Sequence, residues 1–165
     1  MSYKKYLKQR VNKDKSISIY TSVSIPAKSM LMELGGEIVV QDVSKADPSW
    51  NQIGPNMFLK PSGSITDYLA HSCDPNCFLR VSAKRVFLYS LYIVPANANL
   101  TVDFSVNSTD TLETWQMECK CGSNKCRKVI SGYQTLPEAL RTKYQDREIV
   151  PMFIATNIIQ ETEEK

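Results

Sequence analysis

The sequence predicts a mostly β domain with a cysteine-rich, metal-binding segment toward its C-terminal end. Three observations carry this. Short stretches alternate polar and apolar residues with period two, the pattern of a half-buried strand, as in SISIYTSV at 16–23. Clusters of Gly, Pro, Asn and Asp separate those stretches, as a series of short strands requires. Cys119, Cys121 and Cys126 stand in C-x-C-x4-C, and Cys73 lies well upstream in AHSCDPNC.

Element by element, the basic segment 1–15, MSYKKYLKQRVNKDK, reads as a solvated N-terminal arm or a contact for an acidic partner. The first strand is SISIYTSV, and SIPAKS with Pro26 is a turn. MLMELGGEIVVQDV is one strand broken at Gly35–Gly36 and then another, because paired glycines mark a bend or bulge. Residues 44–56, with Asp47-Pro48, Gly54-Pro55 and Asn56, read as loop. MFLK is a short strand, PSGS a turn, and ITDYLA a short helix entering HSCDPNC. FLRVSAKRVFLYSLYIV predicts a hairpin around Ala83-Lys84, PANAN a turn, and LTVDFSV a strand. TDTLETW predicts a short helix starting near Asp110. LPEALRTKYQDR predicts a helix with Pro137 in its first turn, where a missing N–H costs nothing. Glu138 at its start and Arg141 and Lys143 further on suit the helix dipole. QETEEK reads as a frayed acidic tail.

Length and composition bound the rest. A chain of 165 residues is one domain with a small appendage, and 42% apolar residues supply an ordinary core. A net charge of +3 argues against direct nucleic-acid binding. No apolar run approaches the ~20 residues of a membrane span. No secretory leader is read in the first 15 residues, so the expected setting is cytoplasmic and reducing, or nuclear in a eukaryote. There, clustered cysteines read as metal ligands. Three thiolates this close, with Cys73 as a fourth, suit a closed structural zinc site. The rival is disulfides, which among 5 cysteines must leave one over. Cys77 reads as a small buried hydrophobe.

Four blocks in order now bear a resemblance. SISIYTSVSIPAKSMLMELGGEIV, HSCDPN at 71–76, LTVDF at 100–104 and C-x-C-x4-C-R together resemble a SET domain with a post-SET zinc segment, over about residues 16–130. The trailing LPEALRTKYQDREIVPMFI is similar to tails of small prokaryotic-type SET proteins. The resemblance implies a β-clip fold of small sheets with a pseudoknot. It implies methyl transfer from S-adenosylmethionine to a lysine side chain of a protein substrate. It also implies a structural zinc on Cys73, Cys119, Cys121 and Cys126. The corresponding organisation is an arm at 1–15, a SET domain at 16–116, a post-SET segment at 117–132, and a tail with a short helix at 133–165.

The departures from the family pattern cluster at the chemistry. Ser16-Ile17-Ser18 stands where the family has G-x-G beside the cofactor. Glycine serves there by close backbone approach or by positive φ, which costs another residue about 1–2 kcal/mol. Ala70 replaces an asparagine that supports the cofactor, and His71 is expected beside the adenine. Phe104 replaces the catalytic tyrosine of a D-Y motif, keeping the channel wall and losing the hydroxyl. Leu34 and Val102 also replace larger or polar channel residues. Tyr68, Tyr89, Tyr92 and Tyr133 are the candidates for a hydroxyl from elsewhere, Tyr68 first among them. Trp115 and Tyr133 either line the post-SET wall or pack there. A nucleophilic Cys73–His71 pair is set aside because no orienting partner is apparent, and Asp103 is read as a strand brace. Two functions follow. One is a protein-lysine N-methyltransferase. The other is a catalytically silent SET-like module that binds a partner protein.

Overall fold

Alternation along the first half of the chain produces many short strands rather than one large sheet. The computed structural model describes residues 2–110 and 113–156. In chain order the strands are β1 (Leu7–Val11), β2 (Ile17–Thr21), β3 (Met30–Leu34), β4 (Ile38–Val40), β5 (Asn51–Gly54) and β6 (Met57–Leu59). They continue as β7 (Ala70–His71), β8 (Cys77–Ser82), β9 (Arg85–Ser90), β10 (Thr101–Val102), β11 (Met117–Glu118) and β12 (Val129–Ile130). Helix α1 (Glu138–Asp146) follows, and residues 152–156 are also helical. The elements form two compact units. The first comprises the described residues of Met1–Gly36, Pro61–Asp103 and Cys121–Cys126; the second those of Glu37–Lys60, Phe104–Lys120 and Arg127–Lys165.

In the first unit, β3, β9 and β8 form an antiparallel sheet in that order, and β1 pairs antiparallel with β2. The period-two pattern puts Val86, Leu88 and Ser90 of β9 inside. Ser90 is satisfied there: its hydroxyl donates to the Pro26 carbonyl at 2.6 Å and accepts from the Ser29 N–H at 2.9 Å. That pair holds the turn that the sequence places at Pro26. The β8–β9 hairpin turns at Ala83-Lys84 as expected, both residues having positive φ (49° and 61°). The pairing of β7 with β10 is parallel, Ala70 beside Thr101 and Val102 beside His71, and is the only parallel pairing among the described strands. It brings two blocks distant in sequence side by side.

In the second unit, β4, β6 and β5 form an antiparallel sheet in that order, and β11 pairs with β12. Phe58, Ile130, Tyr133, Tyr144 and Ile154 are among its buried residues. Gly132 is present because backbone passes against it: a Cβ there would fall 2.1 Å from the Asp110 carbonyl oxygen.

Several elements differ from the sequence reading. The basic N-terminal segment contains strand β1, not only an arm; Leu7 is buried while Lys8 to Val11 are exposed. Residues 44–56 are not all loop, because Gly54-Pro55-Asn56 turns the chain so that β5 pairs with β6. Asn56 takes φ 52° in that turn. The stretch LTVDFSV is strand only at Thr101–Val102, and Phe104–Asn107 is a 3-10 helix. The short helix expected in ITDYLA is a 3-10 helix, Ile65–Tyr68, capped by the Ser64 hydroxyl. Pro137 stands at the N-cap of α1, one position before its expected place. The helix expected from Asp110 falls partly, and the acidic tail wholly, outside the described residues.

Candidate active site and metal centre

The four cysteine sulfurs come together. One thiol each from Cys73, Cys119, Cys121 and Cys126 lie within 4.8 Å of one another. A tetrahedron with Zn–S bonds near 2.3 Å has S···S edges of about 3.8 Å, so the thiols fit a closed four-sulfur zinc site after a small contraction. None of the five cysteines is held in a disulfide. Local backbone explains how the chain wraps so tightly. Gly122 and Lys128 take positive φ (74° and 68°), and the Cys126 N–H donates to the Ser123 carbonyl at 3.0 Å. The Cys119 N–H donates to the Lys128 carbonyl, closing the end of the β11–β12 ribbon. Lys125 Nζ lies 2.9 Å from Asp74 Oδ1, linking the 121–126 turn to the loop that carries Cys73. Four thiolates on Zn²⁺ carry net charge −2, and Lys120, Lys125, Arg127 and Lys128 supply positive charge along the same stretch. Cys77 stands apart. It is fully buried in β8, and burial pushes its thiol up to about 12, so it stays neutral.

The segments expected to hold the cofactor both lie in the first unit. Ser16 sits in the turn between β1 and β2, and Ser18 is buried in β2. The strain expected from losing two glycines is absent. The positive φ falls on Lys15 (67°), and neither serine has one. The serine side chains instead fasten the turn. Ser16 Oγ donates to Asp14 Oδ1 at 2.6 Å and accepts from Asn12 Nδ2 at 3.0 Å; Ser18 Oγ donates to Asn12 Oδ1 at 3.3 Å. The Ser16 hydroxyl and the Ser16 backbone N–H, both donating to Asp14 Oδ1, hold the Asp14 carboxyl below its ordinary range. Ser16 and Ile17 are exposed, so that turn can meet a ligand; Ala70 is half-buried and the His71 side chain is buried, which leaves the 70–71 segment its backbone.

His71 does something the sequence reading did not place. Its Nε2 lies 3.3 Å from Cys73 Sγ, and its Nδ1 lies 3.8 Å from Asp103 Oδ1. Asp103 therefore stands where an orienting partner of the ring would, which no spacing in the sequence shows. It follows β10, and the parallel pairing brings it to β7.

The remaining candidates separate. Phe104 is half-buried at the start of its 3-10 helix; Leu34 and Val102 are buried. Tyr68 is partly exposed at the end of its 3-10 helix. Tyr89 stacks on Phe78 with ring centroids 5.7 Å apart, and the Arg80 guanidinium lies over both rings. Tyr92 is partly exposed. Tyr133 is not a spare hydroxyl donor. It is fully buried, its hydroxyl donates to the Arg141 carbonyl at 3.2 Å, and burial raises its pKa. Trp115 accepts a bond at its backbone carbonyl from the Ser131 hydroxyl. Two contributors were missed in sequence. Asn12 fastens the serine turn. Asn76 clamps the HSCDPN loop, accepting from the Thr101 N–H at 2.9 Å and donating to the Asn99 carbonyl at 2.8 Å. Each is one polar residue in a turn, and its partners are known only once the chain is folded.

The SET domain family profile matches residues 16–105. This chain belongs to the SET domain family. The chain is 26% identical over 120 residues to the probable histone-lysine N-methyltransferase lin-59 of Caenorhabditis elegans, which spans 68% of this chain and 9% of that protein. It is 27% identical over 130 residues to an H3 lysine-4-specific histone-lysine N-methyltransferase of Saccharomyces cerevisiae, spanning 68% of this chain and 12% of that protein. It thus covers only a small part of these relatives' length. A crystal structure of KRYPTONITE in complex with mCHH DNA, H3(1-15) peptide and SAH superposes with a TM-score of 0.60. That match covers 76% of this chain and 29% of KRYPTONITE at 21% identity, a likeness of fold.

Proposed function

We propose that this SET domain transfers methyl from S-adenosylmethionine to a lysine of a protein substrate. The observation that carries the proposal is the parallel β7–β10 pairing. It sets Ala70 and His71 beside Thr101 and Val102, so that the HSCDPN and TVDF blocks of a SET domain stand together. Relatives named histone-lysine N-methyltransferases support it, as does the SAH in the KRYPTONITE crystal.

The cofactor supplies an electrophilic sulfonium methyl. Residues 16–18 and the backbone of Ala70 and His71 would hold it. The substrate lysine must lose its proton first, since free lysine has a pKa near 10.4. An apolar channel disfavours the ammonium and promotes that loss. Holding nitrogen, methyl and sulfur in line supplies much of the remaining acceleration. Backbone carbonyls around the methyl add weak C–H···O contacts of about 0.5–1 kcal/mol each. Tyr68 is the proposed source of a hydroxyl in place of the one Phe104 lacks. A reducing compartment belongs to the proposal, because a zinc site needs its cysteines as thiolates. Direct nucleic-acid binding stays outside it on the strength of a net charge of only +3; the DNA in the KRYPTONITE crystal is said of that protein. Among the described residues no helix is long and apolar enough to cross a membrane.

One substitution tests the reading. Zinc-loaded protein is assayed for transfer of labelled methyl to histone and lysate proteins, alongside Phe104→Tyr. Losing one preorganised donor costs a rate of order 10²–10³-fold elsewhere, so the tyrosine variant should rise by up to that factor. Phe104 and Ala70 favour a second reading, a silent module that binds a partner. No cofactor binding by calorimetry, and no transfer by either protein, would select it.

A further inference from the structure

The methyl-transfer reading leaves His71 and Asp103 without a task for their side chains. His71 is the only histidine in the chain. Its side chain is 5% exposed, and that of Asp103 is 1% exposed. Burying a carboxylate and an imidazole is costly unless each has polar partners. The ring lies between two of them: Nε2 at 3.3 Å from Cys73 Sγ and Nδ1 at 3.8 Å from Asp103 Oδ1. This is the layout of a Cys–His–Asp nucleophilic triad. Cys73, however, is also one of the four convergent thiols, and a thiolate committed to a metal is not free to attack. His71 is not itself one of the group whose ligand atoms converge. It stands one bond behind a ligand.

We infer that His71 is a positioning residue of the metal centre, its Nε2–H donating to the Cys73 thiolate while Asp103 holds the ring from the other side. The chemistry requires that direction. A metal-bound thiolate carries no proton, so the proton in the His71–Cys73 contact must sit on Nε2. Asp103, beyond direct hydrogen-bond length, acts through its charge. The parallel β7–β10 register delivers both groups, because the Ser72 N–H donates to the Val102 carbonyl at 3.0 Å and fixes where the residues on either side point. Partners of this kind behind a metal ligand are worth about 10–100-fold in metal affinity. The inference rests on the zinc reading of the four thiols, and not on methyl transfer.

The test starts with metal content of the purified chain. One zinc per chain is expected; none after reconstitution under reducing conditions would overturn the zinc reading and this inference with it, while leaving methyl transfer to be judged separately. With zinc bound, long-range ¹H–¹⁵N correlation of the single histidine reads the proton directly in the unmodified protein. A proton on Nε2, with or without one on Nδ1, is expected. A bare Nε2 overturns the assignment while the zinc site stands. Variants give the size of the effect. His71→Phe should weaken zinc, measured by chelator competition, by about tenfold or more, and His71→Gln, which keeps a donor, should recover part of it. Cobalt substituted for zinc should show its thiolate charge-transfer band displaced in His71→Phe. An unchanged band and unchanged affinity in that variant would overturn the inference, and if it does not fold the histidine spectrum decides alone.

Discussion

At the residue scale, the most consequential side chains are small polar ones in turns. Asn76 makes four bonds to the 99–101 segment, one of them accepted at Oδ1 from the Thr101 hydroxyl at 3.4 Å. It donates from Nδ2 to Asn99, accepts at Oδ1 from the Thr101 N–H, and its own N–H donates to Thr101 Oγ1 at 3.2 Å. Removing its amide leaves the Thr101 N–H and the Asn99 carbonyl without it in a part-buried setting. Each such loss costs about 1–3 kcal/mol. Asn76→Ala should therefore lower stability by about that amount, seen as a lower denaturant midpoint with an unchanged slope. Asn12 plays the parallel part at the serine turn, where it joins Ser16 and Ser18. This explains why the two missing glycines leave no strain. Of the two reasons for glycine there, close approach or positive φ, the second does not apply, because the positive φ of this turn falls on Lys15. Phe104 is the opposite case: its reading as a tyrosine position without the hydroxyl rests on residue identity in the LTVDF block.

At the element scale, hairpins set most of the architecture, and the β8–β9 turn is the least well matched to its residues. Ala83 and Lys84 both sit at positive φ, the arrangement of a type I′ turn, which favours Asn-Gly. Each non-glycine residue there carries about 1–2 kcal/mol of strain. Ala83→Asn with Lys84→Gly should raise the melting temperature, with a net gain of about 1 kcal/mol once the added glycine freedom of the unfolded chain is subtracted. Both side chains are exposed, so lost packing does not compete. An unchanged or lower melting temperature would show that the turn is not under strain. Strand β5 carries the contrary lesson. Its residues include Gly54 beside Pro55, which read as loop locally, yet pairing with β6 makes them strand. Strand pairing is a tertiary event, and local propensity yields to it.

At the scale of the whole molecule, few helices and many two- and three-stranded sheets leave stability to short-range staples. The four convergent thiols offer one such staple, as a zinc site. Structural zinc contributes folding free energy directly, because the site does not exist in the unfolded chain. Stripping the metal with a strong chelator should lower the melting temperature clearly and raise hydrogen exchange over 117–130. Unchanged melting after verified metal removal would retire the four-thiol site. The chain matches only 9% and 12% of two long relatives, and the substrates in their names are said of those proteins.

One dimension was enough for the class, the family and the four cysteines that could hold a metal. These depend on residue type and spacing: C-x-C-x4-C, HSCDPN and the alternation of 16–23 are visible in one dimension. The expectation at Phe104 belongs there too, since a missing hydroxyl is a matter of identity. Tertiary structure alone decided which polar groups meet. The parallel register of β7 on β10 puts Asp103 beside His71, across a sequence gap that no periodicity spans. It also withdrew Tyr133 from the candidate hydroxyls by burying it against the Arg141 carbonyl. Long-range pairing fixes such contacts at distances of a few ångströms, and a linear pattern holds no information at that resolution.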